Sequence, residues 1–143
     1  MKSKEWLWRQ FVLAYDIEVP ESAVEEELHT IKMDMRHRMR YEQMAGGEPH
    51  LFPEQELAEQ EAELQELALF EAKELRVLKD VIARQGFTAS PEELRAKAEA
   101  IAKREQSTLE MVQRFFGEDF ALLERDVLNE KAREWACAQV EGR

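Results

Sequence analysis

At 143 residues the chain is long enough for one domain that buries roughly 70% of its unfolded surface, and 31 acidic against 20 basic residues give it a formal net charge of -11. That balance excludes nucleic acid as a natural partner, because affinity for phosphate backbones comes from cationic side chains that displace counterions. With only 5 Gly and 4 Pro, many helix formers and no sustained apolar–polar alternation, the fold class expected is all-α. No segment approaches the ~20 apolar residues that cross a bilayer. Charges interrupt the first residues, where a secretory signal needs an unbroken apolar run. A single cysteine, Cys137, leaves no internal disulfide. These features together predict a cytoplasmic protein with no membrane partner.

Taken in chain order, the first helix is expected over 3–15, behind Ser3. The second is expected over 22–45, with Ser22 as its cap and Glu25 completing a capping box, and it stops at Gly46-Gly47. The third runs uninterrupted over 53–85 to a stop at Gly86. The fourth, 91–105, follows Ser90, with Pro91 at the first helical position and Glu93 reaching back. The fifth, 108–116, is expected behind Ser107 and Glu110 and closes at Gly117, and the sixth covers 119–140. There is no internal repeat. The one low-complexity piece is Glu54 to Glu66, with six glutamates and no Lys or Arg.

The link from Gly46 to Phe52 is short enough to force the second and third helices into an antiparallel hairpin. Lys32, Arg36, Arg38 and Arg40 make the second helix basic near its end, facing the acidic start of the third. Folding the chain at the glycine pair predicts Arg40 beside Glu59, Arg36 beside Glu63 and Lys32 beside Glu66. Exposed pairs contribute only ~0–1 kcal/mol each, so such pairing sets register more than stability. A long hairpin of this kind would project as an arm.

Val24, Leu28, Ile31, Met35 and Met39 form one apolar stripe on the second helix. Met33 and Met44 lie on a second, sparser line, with Tyr41 beside it. Methionine is flexible and recurs on surfaces that accept varied apolar partners. It is also a common filler of gaps in a core, and the pattern alone leaves both readings open. The third helix widens toward its end, where Leu64, Leu67, Ala68, Leu75, Leu78 and Ile82 share a face with Leu69, Phe70, Val77 and Val81 beside it. Phe115 and Phe116 are adjacent and therefore point ~100° apart, so they cannot both enter one seam.

No catalytic constellation emerges. Glu26 and His29 have a Glu-x-x-His spacing, but a carboxylate-bridged metal pair needs two such motifs on different helices, and these two residues flank the buried stripe. His37 and His50 supply no second motif. Cys137 has no histidine near it in sequence, and no phosphate-binding loop or nucleophile elbow occurs. The expectation is no enzyme, no metal and no cofactor.

Several short motifs follow one another in a telling order. They begin with Ala14-Tyr15-Asp16-Ile17-Glu18-Val19-Pro20 leading into Glu21-Ser22-Ala23-Val24, and continue with an apolar helix from Leu57 to Ile82-Ala83. The turn at Gly86-Phe87 comes next, with the Ser90-Pro91-Glu92-Glu93 start, and Val127-Leu128-Asn129-Glu130-Lys131-Ala132 closes the series. This order resembles the peptide-binding C-terminal domain of trigger factor over nearly the whole chain. The resemblance implies a single domain, 1–143, with a helical base (about 1–20 and 119–143) and two projecting helical arms (about 22–85 and 90–117). It implies an ATP-independent chaperone that holds unfolded or nascent polypeptides on apolar patches between its arms. Client contact would then fall to Met33, Met44, Phe70, Ile101, Met111 and Phe115. Self-association through exposed apolar faces stays open. The family's ribosome-docking loop and prolyl isomerase domain have no counterpart in these residues, so neither activity is carried over. The alternative is a helical adaptor or assembly factor that binds one folded protein.

Overall fold

A computed structural model describes residues 2–47 and 49–142. The elements are α1 (Lys4–Ala14), α2 (Glu21–Met44), α3 (Pro53–Glu59), α4 (Glu61–Gln85), α5 (Pro91–Arg104), α6 (Leu109–Phe116), a 3₁₀ turn (Ala121–Leu123) and α7 (Glu124–Glu141). The fold is all-α, with no strand among the described residues. The chain divides into two compact units. One runs from Tyr15 to Val77, and the other joins the chain up to Ala14 with the chain from Leu78 onward.

In the unit from Tyr15 to Val77, the stripe on α2 is the packed face. Ile31 of α2, Leu57 of α3, and Leu64 and Ala68 of α4 form the buried seam, and Val24, Leu28, Met35 and Met39 pack against it. The expected single helix over 53–85 is interrupted at Gln60, which closes α3 by donating to the Leu57 carbonyl and accepts from Leu64 N–H at the start of α4. No Gly or Pro marks this site. The break gives α4 a new N-terminus with Glu61 and Glu63 in its first turn, where the helix dipole favours carboxylates.

The charge register also differs from expectation. Arg36 makes a two-pronged pair with Glu54 (2.7 and 3.0 Å), and Lys32 meets Glu61 at 2.7 Å. The expected partners Glu63 and Glu66 lie further along the chain. The reason is the link before Pro53. Extended backbone advances roughly twice as far per residue as helix. The link runs back beside the last turns of α2, so Pro53 and Glu54 line one hollow with Arg36, Met39 and Arg40.

The other unit has two packed groups. Against α7, α1 buries Leu7, Trp8, Phe11 and Val12. Trp135 meets Phe11 edge-on with ring centroids 5.7 Å apart, and the Arg133 guanidinium lies 5.2 Å over the Trp8 ring. A second cluster gathers Leu94, Ala98, Ala102, Val112, Phe120, Leu123 and Val127 from α5, α6, the 3₁₀ turn and α7. The sixth helix was expected from 119 but α7 starts at Glu124, because Phe120 takes a left-handed backbone (φ 60°) and buries its ring in that cluster. Such a backbone costs roughly 1–2 kcal/mol at a side chain with a Cβ. Burying a phenylalanine contributes about 1.5–3 kcal/mol, which is enough to hold it there.

The helix caps divide. The Ser90 hydroxyl accepts from Glu93 N–H at 3.2 Å and the Glu93 carboxylate from Ser90 N–H at 3.1 Å, a complete capping box. Ser3 caps α1 by accepting from Trp6 N–H. Two expected caps are displaced by one or two residues. Pro20, in extended conformation, precedes α2, so Ser22 lies inside the helix, and Thr108 rather than Ser107 caps α6 by accepting from Met111 N–H. Gly46, Gly86 and Gly117 take the positive φ expected at helix stops.

This contrast is testable by thermal denaturation. Ser90→Ala should lower stability by about 0.5–2 kcal/mol through loss of the cap. Ser22→Ala should leave it unchanged or raise it by a few tenths of a kcal/mol, because alanine is the better interior helix residue.

Candidate functional site

The six residues expected to contact clients fall in different surroundings. On α2, Met33 is exposed and Met44, the last residue of the helix, is 82% exposed. Phe70 on α4 is half-buried. These three belong to the unit from Tyr15 to Val77. In the other unit, Ile101 is half-buried and packs against the α5–α6–α7 cluster. Met111 and Phe115 are exposed on α6, Phe115 by 73%. The adjacent pair divides as its geometry requires, with Phe116 packed against the cluster and Phe115 turned to water. Arg114, one turn from Met111 and paired with Glu110, keeps a cation beside this apolar spot.

Apolar exposure that the helical pattern does not place lies at the end of the hairpin, at Leu51 and Phe52. Tyr41, Leu51 and Phe52 join Met44 there, each at least two-thirds exposed. Leu51 and Phe52 line a shallow hollow with Pro49, Gln55, Glu56 and Glu59. The signal was present, since two consecutive large apolar residues in a Gly- and Pro-containing link have no helical stripe to join. The length of that link, not its side chains, carries the hairpin expectation.

Beside these residues His50 lies between two helices. Its Nε2 is 2.8 Å from Glu42 Oε2 at the end of α2, and its Nδ1 is 2.9 Å from Glu56 Oε2 on α3. Sequence spacing hid this arrangement, because neither carboxylate stands at a helical offset from a residue in a loop. Both ring nitrogens are engaged, and among the described residues no group of three His, Cys, Asp or Glu side chains is placed to hold a metal. Cys137 is buried between α1 and α7, its Sγ 3.5 Å from the Lys4 carbonyl oxygen to which it donates. Burial pushes its thiol up, away from the reactive thiolate form.

The chain matches the family model for the C-terminus of the bacterial trigger factor protein over residues 2–138. It belongs to the trigger factor C-terminal family. A solved structure of trigger factor domains from Thermotoga maritima has a TM-score of 0.67 at 22% identity, covering 96% of this chain and 80% of that one, a likeness of fold. Among curated proteins none matches. Trigger factor domains of this family are chaperone domains and not enzymes, so a chaperone role comes with membership. No helix among the described residues is long and apolar enough to cross a membrane.

In this trigger factor C-terminal domain, which carries a formal net charge of -11, some carboxylates lie close to one another. Burial holds the Glu71 carboxyl above its ordinary range, and Glu27, Glu74 and Asp34 add like-charge repulsion. A carboxyl whose folded pKa is raised destabilises the fold once pH passes its unfolded value near ~4.3, because only the unfolded chain ionises freely. Glu71→Gln should therefore raise the denaturation midpoint at pH 7 by the equivalent of less than about 1 kcal/mol. The gain should vanish below about pH 4, where both forms are neutral. Denaturant melts of both proteins at the two pH values would check this.

Proposed function

We propose that the chain is an ATP-independent holdase of the cytoplasm that binds unfolded or nascent polypeptides on separate apolar patches. Arm one would comprise about 22–85, arm two about 90–117, and the base about 1–20 and 119–143. The observation that carries this reading is that large apolar side chains stand in water singly or in small groups on an acidic helical protein. Met44, Tyr41, Leu51 and Phe52 gather at the hairpin end, and Met111 and Phe115 on α6. Scattered exposed apolar residues are ordinary, whereas four within a dozen positions around one turn are a concentration that a partner would cover.

A flat, continuous patch would suit one folded partner. Small patches surrounded by charge suit extended chains, whose apolar side chains arrive one or two at a time. Each side chain that a client covers fully contributes up to ~1.5–3 kcal/mol, and several weak contacts on one chain combine through effective concentration. Methionines adapt to varied shapes. The acidic surroundings favour clients with basic residues beside their apolar segments and repel other acidic surfaces.

The defining experiment sets suppression of aggregation of two unrelated denatured proteins, without ATP, beside binding to the same proteins when folded. Binding only to one folded protein would replace the holdase reading with that of an adaptor. Within the holdase reading, Met111→Ser with Phe115→Ser should weaken binding of an unfolded client more than tenfold, equivalent to about 1.4 kcal/mol. The melting temperature should hardly move, because neither side chain is buried. A large fall in melting temperature would instead mark both as packing residues, and unchanged binding would remove α6 from the site. Met44→Ser with Phe52→Ser tests the hairpin end in the same way.

A further inference from the structure

We propose that His50 is a protonation-dependent clamp, its doubly protonated imidazolium joining the end of α2 to the start of α3 and ordering the link that displays Leu51 and Phe52. Hydrogen-bond capacity sets the protonation state of this ring. The two ring nitrogens lie 2.9 and 2.8 Å from oxygens of different glutamates, Glu56 and Glu42. An ionised carboxylate only accepts, and a neutral imidazole has one N–H. Both contacts are satisfied only when both nitrogens carry protons. Neutral His50 would set one lone pair against a carboxylate.

The charged groups facing His50 among the described residues come from the two helices beside it. Glu42, Arg36 and Arg40 come from α2, and Glu54 and Glu56 from α3. The Arg36 guanidinium is held by Glu54 at 2.7 Å, which leaves Arg40 as the cation opposing a second positive charge in this hollow. Two carboxylates in direct contact outweigh it, since charge interactions weaken with distance and screening. The hydrogen bond to Glu42, then that to Glu56, holds His50 above its ordinary range. The sign follows. A histidine whose folded pKa is raised contributes its full share below the unfolded value near ~6.5, and loses it as pH rises through the folded midpoint. The hairpin end is therefore clamped below the raised folded midpoint and released as pH rises through it.

Leu51 and Phe52 follow His50 directly and are exposed, so apolar burial does not fix them. The proposal does not depend on what the patch binds. Aggregation suppression decides the holdase reading, and a titration decides this one. The experiment is a ¹H–¹⁵N titration of the histidine rings and backbone amides in the whole chain from pH 5 to 9. The His50 midpoint should lie above ~6.5, and should fall in the Glu42→Gln, Glu56→Gln double variant. The amides of Leu51 and Phe52 should shift with that same midpoint, and lose this titration in His50→Gln. A midpoint at or below the ordinary value would overturn the clamp, as would link amides that ignore it. So would ring shifts showing neutral His50 below that midpoint, with a glutamate holding the shared proton. The wild-type titration is decisive by itself, so no variant need fold for the proposal to fail.

Discussion

A seam between α2 and the returning α3–α4 segment can cover only one face of each helix, and this limit organises the unit from Tyr15 to Val77. Ile31, Leu57, Leu64 and Ala68 occupy the seam, with Met35 and Met39 beside it. Met33 and Met44 lie off that stripe and are exposed. The same residue type is thus core filler at two positions and free surface at two others, by angular position alone. The methionine pattern divides into packed positions, Met35 and Met39, and exposed ones, Met33 and Met44. Leaving apolar side chains in water forgoes burial of up to ~1.5–3 kcal/mol each. A fold that tolerates this is held by a narrow seam and by charge.

Charge then does what the seam cannot. Exposed ion pairs add little net stability, yet Lys32–Glu61 and Arg36–Glu54 choose which turn of α3 and α4 stands opposite which turn of α2. In the other unit Lys131 reaches both the Glu93 carboxylate and the Thr88 carbonyl, tying α7 to the chain that enters α5. That carboxylate also closes the capping box, so one glutamate serves the helix start and the tertiary contact. The Lys131 hydrogen bond, with that from Ser90 N–H, holds Glu93 below the ordinary carboxylate range. Acidic residues therefore have two roles here. Some, such as Glu93, are local fasteners, whereas Glu71, held up by burial and by neighbouring carboxylates, costs the fold stability.

Helices with strong local signals were legible in the sequence. The Ser90 box, the glycine stops and the α2 stripe all depend on residues within four positions of one another, and each is found where local rules put it. Tertiary effects were not legible. The break at Gln60 lies among good helix formers, and Phe120 adopts its backbone only because a core assembled from distant residues accepts its ring. The register shift had a similar origin, since counting residues from the glycine pair treats an extended link as though it advanced like a helix. Of the candidate surface, helical positions such as Met44, Met111 and Phe115 could be placed by angle. Leu51 and Phe52 could not, because loops have no period from which to read a face.

The hairpin end differs from the seam in what orders it. Among its described residues, Gly47, Pro49, Leu51 and Phe52 are exposed and only His50 is half-buried, so burial contributes almost nothing between Gly46 and Pro53. Its fixed points are Leu57, nearly inaccessible four residues into α3, and the contacts of His50 with Glu42 and Glu56. Apolar seams tighten with excluded salts and weaken on cooling, whereas exposed charge contacts weaken with ionic strength and with loss of a proton. The two ends of one hairpin therefore respond to different conditions. The exposed side chains of Leu51 and Phe52 are mounted on the part held by charge, and segments with few buried contacts open at low free-energy cost while the seam stays closed.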